Sequence, residues 1–523
     1  MLARGQLATP EKTVSHLLYM DDLKIYAKSD RQLSQMIDVV SNFSSDIGMK
    51  FGIDKCAKMT IKRGKRSNPQ NISVTDNGDI RNLDPGATYR YLGLEENTSQ
   101  EDEIMKDQLK KEYVRRVRLV LTTELNSSNK TKAVNSFAVP VLLYSFGVIR
   151  WRKDEVRLLD RMTRKLFTQC RLHHPRAAVE RLYLPRKNGG RGVLQLEGMH
   201  SRTVALGSYI EEHDGRLLRI LKKFHHDSKP IHSITKQANA ICQKADIGVL
   251  CPSSKLEYRQ FLAEVMKDRW KAKPLHGQHC RVADEVNAAT EPSYQWLRYG
   301  QLKPETEGMM VAIQDQVMRT HAYEKNILKL QVSGKCRMCG DSEETIHHII
   351  SGCQMMAPRH YMARHNQVAS IIHWQLCRQT GINAARTWYE HTPPPVAENA
   401  VMKLLWDQPV QTDRTIMANK PDIIAIDKQR HEVKIIEVSI PADGNIRRKL
   451  AEKRDKYQDL RMEIQKMWHV KATIHPVIVG STGLMLKETV QLAEHIVVEI
   501  HHLQRAVILQ TCSITRRFLN LTI

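Results

Sequence analysis

A Cys/His motif is the feature that most restricts how this chain can fold. Cys336, Cys339, His348 and Cys353 follow the spacing C-x2-C-x8-H-x4-C. Two thiolates separated by two residues can clamp one side of Zn²⁺, and an imidazole with a third thiolate completes a tetrahedral site. Four protein ligands leave no open position, so we expect a structural or nucleic-acid-presenting zinc and not a catalytic one. His347 is an alternative ligand to His348.

Cysteine content and hydropathy narrow the class of protein further. Ten cysteines in 523 residues are too few for a disulfide scaffold, which favours a reducing compartment. No apolar run approaches the roughly 20 residues of a membrane helix, and the first residues, MLARGQLATPEK, lack the apolar core of a signal peptide. The length predicts roughly three or four soluble domains.

Positive charge is concentrated in one part of the chain. The net charge is +23, and residues 111–200 alone contain 19 basic and 7 acidic residues, a net +12. Such a segment favours a polyanionic partner, because each neutralised phosphate releases condensed counterions. The alternative is a solvated surface that only keeps the protein soluble.

An acidic turn stands near the start of the chain. VSHLLYMDDLKIY predicts two short strands around Asp21 and Asp22, followed by a helix from about Asp30. Adjacent carboxylates on a tight hairpin can help to hold a divalent cation for phosphoryl transfer. An ordinary acidic β-turn is the alternative.

A second acidic pair lies near the end of the chain, beyond a predicted Pro-rich linker at 393–395. KPDIIAID and HEVKIIEVSIP read as two strands of a small α/β domain, with Asp422 at the start of one and Glu437 in the middle of the other. Side by side, these carboxylates would chelate Mg²⁺, as in PD-(D/E)xK nucleases. Ser439 stands where that motif has lysine. A strand edge with surface charges is the alternative.

The acidic hairpin and the segments after it resemble a reverse-transcriptase palm. The matching stretches are HLLYMDDLKIYAKS, GMKFGIDKCAKM and YRYLGLEE. The resemblance implies that Asp21 and Asp22 bind Mg²⁺, that Lys55 lies near the outgoing pyrophosphate, and that Tyr91 and Gly93 belong to the hairpin that grips the primer. The fingers and the first metal-binding aspartate of that family precede this hairpin, so we expect an incomplete metal site and an incompetent polymerase.

The basic segment resembles the helical thumb of retrotransposon polymerases. The matching stretches are NSSNKTKAVNSFAVPVLLYSFGVIRW and HHPRAAVERLYLPRKNGGRGV. Tyr183 and His173 are available for stacking on bases. A basic solvated helix with a glycine-rich connector is the alternative. The side chains expected to grip a phosphate backbone are Arg171, Arg176, Arg181, Arg186, Lys187 and Arg191.

In order, these segments resemble the reverse transcriptase and endonuclease (Pol) protein of non-LTR retrotransposons of the restriction-like-endonuclease type. The resemblance includes WLRYGQLKPETEGMMVAIQDQ between the thumb and the Cys/His motif. In that family the nuclease lysine lies on the helix after the second strand, where Lys453, Lys456 and Tyr457 stand here. Arg364 and His365 also stand at a spacing typical of this family. We expect them either to contact nucleic acid or to cap a helix.

The resemblance implies a multidomain α+β and α/β protein that binds DNA and RNA and requires Zn²⁺ and Mg²⁺. We expect an active DNA-nicking nuclease from the C-terminal part of such a protein, acting in the nucleus. The alternatives are an inactive nucleic-acid-binding relic or domesticated module, and a complete polymerase whose N-terminal part is missing from the sequence. The run IKRGKR is a nuclear import signal or a basic hairpin. The expected domains are a partial palm (1–98), a thumb (99–205), a helical linker (206–330), a zinc knuckle (331–366), a helix and linker (367–405) and a nuclease domain (406–523).

Overall fold

The fold is known from a computed structural model that describes residues 8–9, 12–49, 52–63, 65–67, 71–74, 78–84, 86–96, 102–229, 233–245, 255–496 and 498–520. The first seven residues, Lys50 and Phe51 of the second palm-like stretch, and Gly64 of the basic run lie outside these ranges. None of the helices in the described ranges is both long and apolar enough to cross a bilayer.

The chain divides into two compact units whose segments alternate along the sequence. Unit 1 comprises 1–115, 140–157 and 199–258, and unit 2 comprises 116–139, 158–198 and 259–523. Residues 393–395 lie inside unit 2, immediately before a strand, so this Pro-rich run does not separate the two units.

The strands among the described residues have two to five residues in unit 1 and three to eight residues in unit 2. In chain order they are β1 (Ala8–Thr9), β2 (Lys12–Thr13), β3 (His16–Tyr19), β4 (Asp22–Ile25), β5 (Ala57–Lys58), β6 (Thr60–Lys62), β7 (Lys65–Ser67), β8 (Ile72–Val74), β9 (Gly78–Asn82), β10 (Tyr89–Tyr91), β11 (Leu94–Glu96), β12 (Val396–Glu398), β13 (Met402–Trp406), β14 (Ile423–Asp427), β15 (Glu432–Ser439) and β16 (Lys471–Ile478).

Most of the remaining described chain is helical. In chain order the α-helices are α1 (Asp30–Asp46), α2 (Asp102–Leu121), α3 (Ser127–Ala133), α4 (Pro140–Leu143), α5 (Lys153–Gln169), α6 (Val179–Tyr183), α7 (Leu196–Ala205), α8 (Tyr209–Glu212), α9 (Arg216–Asp227), α10 (Ile234–Ala245), α11 (Lys255–Lys271), α12 (Gln278–Ala283), α13 (Thr290–Ser293), α14 (Gln295–Tyr299), α15 (Pro304–Gln314), α16 (His321–Asn326), α17 (Ile346–Ser351), α18 (Met362–Thr380), α19 (Ile446–Lys456), α20 (Gln458–Trp468), α21 (Lys487–His495) and α22 (Ile500–Leu519).

Unit 1 contains the predicted acidic hairpin and the helix after it. Strands β3 and β4 pair antiparallel, with Tyr19 opposite Asp22. Helix α1 begins at Asp30 because the Ser29 side chain caps it by accepting a hydrogen bond from the Gln32 backbone N–H. Ile37 on this helix packs with Ile72 and Ile80 in a small apolar cluster, which fixes the helix against β8 and β9.

Unit 2 contains a five-stranded sheet in the order β12-β13-β14-β15-β16. Neighbouring strands pair antiparallel except β15 and β16, which are parallel. A parallel pair needs a crossover connection, and helices α19 and α20 supply it. One apolar cluster on this sheet includes residues of α18 and α22 and another includes residues of α20, so both faces of the sheet are covered. The predicted small α/β arrangement is confirmed for this region.

Candidate functional site

The carboxylates of Asp422 and Glu437 lie side by side on two neighbouring strands. In the β14–β15 pairing Ile423 stands opposite Ile436, which places Asp422 beside Glu437. The Val438 backbone N–H donates to Asp422 Oδ2 at 2.7 Å, and the Asp422 backbone N–H donates to Glu437 Oε2 at 3.3 Å. The sheet register therefore brings together the two acids that the sequence pattern predicts to meet.

Two lysines of helix α19 approach the same carboxylate at different distances. Lys453 Nζ lies 2.6 Å from Glu437 Oε1, and Lys456 Nζ lies 3.5 Å from the same oxygen. The Lys453 side chain is 19% exposed and that of Lys456 is 41% exposed. Lys456 also donates to the Tyr457 hydroxyl at 2.8 Å. Of the two lysines that the sequence leaves open, Lys453 is closer to the acid and better shielded from solvent.

Tyr457 stands beside the same acid, at the break between α19 and α20. Its hydroxyl donates to the backbone carbonyl of Lys420 at 3.2 Å. Burial, and then the negative charge of Glu437, raise the pKa of Tyr457 above its usual value. The phenol therefore stays protonated and acts as a hydrogen-bond donor. Its ring is buried.

His365 contacts Asp422, and the sequence around His365 did not predict this contact. It lies near the start of helix α18, and its Nε2 is 3.1 Å from Asp422 Oδ2 and 3.2 Å from the Val438 carbonyl oxygen. Burial lowers the pKa of His365. The hydrogen bond with Asp422 and the negative charge of Asp422 outweigh burial and raise the pKa to about 9. We call Asp422, Glu437, Lys453 and His365 the carboxylate cluster.

The donor atoms of the carboxylate cluster suit a hard divalent cation. Asp422 Oδ1 accepts no hydrogen bond within the described part of the chain, whereas Oδ2 accepts from Val438 and contacts His365. Glu437 offers its Oε1, which contacts the ammonium groups of Lys453 and Lys456. Carboxylate oxygens are the ligands that Mg²⁺ prefers, usually with several waters retained. The two acids can therefore hold Mg²⁺ if a lysine moves aside.

The four residues of the predicted zinc motif meet in the structure. Their ligand atoms all lie within 4.8 Å of one another, and we call this group the Cys/His cluster. Cys336 Sγ is 4.0 Å from Cys353 Sγ, and Cys339 Sγ is 3.5 Å from His348 Nε2. Ligands of a tetrahedral zinc with Zn–S bonds of about 2.3 Å lie about 3.5–3.8 Å apart, so these two distances are close to those around one metal ion.

Local structure sets the geometry of the Cys/His cluster. Gly340 adopts a left-handed backbone (φ 68°) and its N–H donates to the Cys336 carbonyl at 2.8 Å, which closes the turn between the first two cysteines. Thr345 caps helix α17 by accepting from the His348 backbone N–H. Hydrogen bonds from the backbone of Ser342, then of Asp341, lower the pKa of the Cys339 thiol, which favours the thiolate that binds metal.

The two neighbouring histidines of the motif have different surroundings in the structure. His348 lies within the Cys/His cluster. His347 is not part of that group, and its electrostatic neighbours are Asp443 and His279. Successive residues of a helix point about 100° apart, so only one of the two can face the cysteines.

The predicted palm residues lie on two short hairpins of unit 1. Asp21 and Asp22 are exposed at the tip of the β3–β4 hairpin, and Gly93 lies in the turn between β10 and β11. Lys24 pairs with Glu96, and its Nζ lies 5.0 Å from the centre of the Tyr91 ring, so the two hairpins are neighbours. Among the described residues, no third ligating side chain joins the two aspartates in a metal-binding group.

Lys55 is also exposed, in the short 3₁₀ turn Ile53–Lys55. The Tyr89 hydroxyl donates to its backbone carbonyl at 2.8 Å, which ties this turn to β10. The turn therefore packs beside β10.

The structure corrects the prediction for three arginines of the basic segment. Arg181 and Arg191 are fully buried in unit 2. Arg181 contacts Asp315 at 3.2 Å, and Arg191 and Arg186 both pair with the buried Glu307. Unpaired charges are costly to bury, so these guanidinium groups are occupied by internal acids and are not free to grip a phosphate backbone.

Three other basic residues of this segment remain at the surface. Arg171, Arg176 and Lys187 are exposed. Arg176 lies 5.5 Å from the centre of the Tyr323 ring, and its side chain is still exposed to solvent. These three are the members of the predicted set that can meet a nucleic acid in this structure.

Three further residues assigned to nucleic-acid contact are buried instead. Arg364 is 1% exposed and donates to Thr511 Oγ1 at 2.9 Å, so it fastens α18 to α22. Tyr183 is buried and its hydroxyl accepts from Arg164. His173 is buried too, and burial lowers its pKa to about 3. The expected stacking of Tyr183 and His173 on bases is therefore wrong for this structure.

We expect Glu307→Gln to lower the free energy of unfolding of unit 2 by about 3–5 kcal/mol, because it leaves Arg186 and Arg191 without a buried counter-charge. Ser127 also donates to this carboxylate at 2.8 Å. Chemical denaturation monitored by circular dichroism would measure the change. Glu291→Gln is the matched control, since Glu291 pairs with Arg298 at the surface and should change stability by less than about 1 kcal/mol. Equal losses in both variants would contradict the assignment.

Comparison with known proteins finds a distant relative of part of this chain. No protein-family model matches the sequence. The Retrovirus-related Pol polyprotein from type-1 retrotransposable element R2 of Popillia japonica is 22% identical over 220 residues. The match covers 40% of this chain and 45% of that protein, so it spans less than half of either. This distant similarity supports a chain related to retrotransposon Pol proteins.

Proposed function

We propose that this protein is a Mg²⁺-dependent nuclease that nicks one strand of DNA. The observation that carries the proposal is the carboxylate cluster, in which two acids from adjacent strands lie within reach of a shielded lysine. An acidic side chain that is 4% exposed on a central strand is unusual unless it is paired or functional. Glu437 meets this description, and Lys453 and Lys456 of helix α19 both pair with it.

The chemistry follows from the positions of these groups. When bound, Mg²⁺ would polarise the scissile phosphate and lower the pKa of an attacking water. Asp422 and Glu437 would hold it, and Lys453 would orient that water or take its proton. The new bond joins the water oxygen to phosphorus, and the bond to the 3′ oxygen breaks. The products are a 5′-phosphate and a 3′-hydroxyl.

The rest of unit 2 supports contact with nucleic acid. The Cys/His cluster has the closed ligand set expected of a structural zinc. The exposed Arg171, Arg176 and Lys187 and the strongly basic chain favour a polyanion. In the retrotransposon Pol proteins that this chain resembles, the freed 3′-hydroxyl primes RNA-directed DNA synthesis. We assign no polymerase chemistry to Asp21 and Asp22.

A plasmid assay with parallel binding measurements tests the proposal. Wild-type protein should convert supercoiled plasmid to the nicked circle with Mg²⁺ and should stop when the metal is chelated. Glu437→Gln should bind the plasmid as tightly as wild type but nick it at least about 10²-fold more slowly, because it loses a metal ligand. If the wild type binds the plasmid without nicking it, the protein is a nucleic-acid-binding module and not a nuclease.

His365 should act as a positioning residue for Asp422. We expect His365→Gln to lower nicking about 10–100-fold at limiting Mg²⁺ and to recover partly at high Mg²⁺, as is usual for residues that orient metal ligands. DNA affinity should not change. The matched control is His360→Gln, on the turn that precedes α18. A loss of DNA affinity in His365→Gln would support instead the nucleic-acid contact that the sequence left open.

A further inference from the structure

A second group of metal-ligating side chains lies at the far end of helix α18. His373 and Cys377 are four residues apart, so they share one face of this helix. His391 comes from the segment between α18 and β12. The ligand atoms of these three residues lie within 4.8 Å of one another, and we call them the helix cluster.

The distances within the helix cluster are close to those between ligands of one metal ion. His373 Nδ1 lies 2.8 Å from His391 Nε2 and 3.5 Å from Cys377 Sγ. Two nitrogens and a sulfur around one tetrahedral zinc stand about 3.3–3.6 Å apart. The imidazoles would need to separate by only about half an ångström to admit the ion.

The surroundings favour neutral imidazoles, the form that binds a metal. His373 and Cys377 are fully buried, and Cys377 packs in the apolar cluster between α18 and the five-stranded sheet. Burial lowers the pKa of His373 to about 4, so its ring is uncharged at neutral pH. His391 is half-buried, which gives an ion a route from solvent. Nothing in the proposed nuclease chemistry uses these three side chains.

We propose that His373, Cys377 and His391 form a second transition-metal site, for Zn²⁺ or an ion of similar preference. One thiolate and two imidazoles suit a borderline ion and not Mg²⁺. Binding replaces the thiol proton by a sulfur–metal bond and releases that proton to solvent. No other Cys, His, Asp or Glu among the described residues joins this group.

The site would fasten the segment that ends at 393–395 to helix α18. In the structure three contacts join this segment to α18: the one between His373 and His391, a hydrogen bond of 3.2 Å from Ser370 Oγ to the His391 carbonyl, and a hydrogen bond of 2.9 Å from Trp374 Nε1 to the Ala385 carbonyl. The same helix carries His365 near its start, so a metal here would stiffen the element that positions the carboxylate cluster. The proposal does not depend on nuclease activity.

Metal counting on the full-length protein tests the proposal. Wild-type protein stripped of metal and titrated with Co²⁺ in a large excess of Mg²⁺, which occupies the carboxylate cluster, should bind two Co²⁺ ions per chain, one at the Cys/His cluster and one at the helix cluster. His391→Ala should bind one. His495→Ala is the matched control, because His495 is an exposed histidine of α21 in the same unit, and it should bind two.

Cys377→Ser gives an independent reading. If the variant folds, its second Co²⁺ should be lost or should lack thiolate-to-cobalt absorption, while the absorption from the three thiolates of the Cys/His cluster remains. If it does not fold, His391→Ala decides alone, because that side chain is only half-buried. One ion per wild-type chain, or two in His391→Ala, would overturn the proposal and leave a plain hydrogen bond between two histidines.

Discussion

Replacing Lys453 by methionine should lower the rate of plasmid nicking by about 10²–10⁴-fold, the usual contribution of a positioned proton-transfer group. The reason is geometric: Lys453 Nζ lies 2.6 Å from Glu437 and is shielded, whereas Lys456 lies 3.5 Å away and is partly engaged by Tyr457. Lys456→Met should therefore lose less than about tenfold. Initial rates at saturating Mg²⁺ would measure both.

Lys449→Met is the matched control for this comparison. Lys449 lies on the same helix and pairs with Glu452 at the surface, so its loss should leave the nicking rate within about twofold of wild type. A strong effect of Lys456→Met with little effect of Lys453→Met would show that the two lysines exchange roles when DNA binds.

Removing a metal ligand from the Cys/His cluster should have the second largest expected effect, a loss of thermal stability of unit 2. Cys339→Ser should lose one zinc per chain and lower the thermal midpoint of unit 2 by roughly 10 °C or more. Structural zinc contributes several kcal/mol to folding, and about 1 kcal/mol shifts the midpoint of a domain of this size by about 2–4 °C. Cys336 and Cys353 are buried in the main apolar cluster, so opening the site also exposes that core.

Cys170→Ser controls for the loss of a thiol. Cys170 is half-buried like Cys339 and lies outside the Cys/His cluster, so it should keep the zinc content and the midpoint of the wild type. Zinc content measured by mass spectrometry and unfolding followed by calorimetry would report both quantities. An unchanged midpoint in zinc-free Cys339→Ser would mean that the metal does not hold this region together.

Local sequence patterns predicted the two acidic strands and the Cys/His motif because both depend on short-range geometry. Strand pairing across a turn fixes the register, so Asp422 and Glu437 meet once β14 and β15 form. The C-x2-C spacing likewise fixes a turn. The helix cluster was not anticipated, because a lone histidine in a loop carries no recognisable spacing signal.

Long-range packing decided what sequence patterns could not. Arginines in a basic stretch look alike, and only the fold shows that Arg181 and Arg191 are matched by Asp315 and Glu307, more than one hundred residues later. His365 reaches Asp422 across 57 residues because α18 packs against the sheet. Its sequence neighbours indicated only proximity to the Cys/His motif.

Asp422→Asn tests most directly the proposal that the carboxylate cluster cuts DNA. This variant keeps the side-chain shape but removes one of the two carboxylates expected to hold Mg²⁺. Wild type should nick plasmid with Mg²⁺ and leave 3′-hydroxyl ends that a polymerase can extend, and Asp422→Asn should bind the same DNA without nicking it. Equal nicking by both proteins, from preparations purified in parallel, would contradict the account.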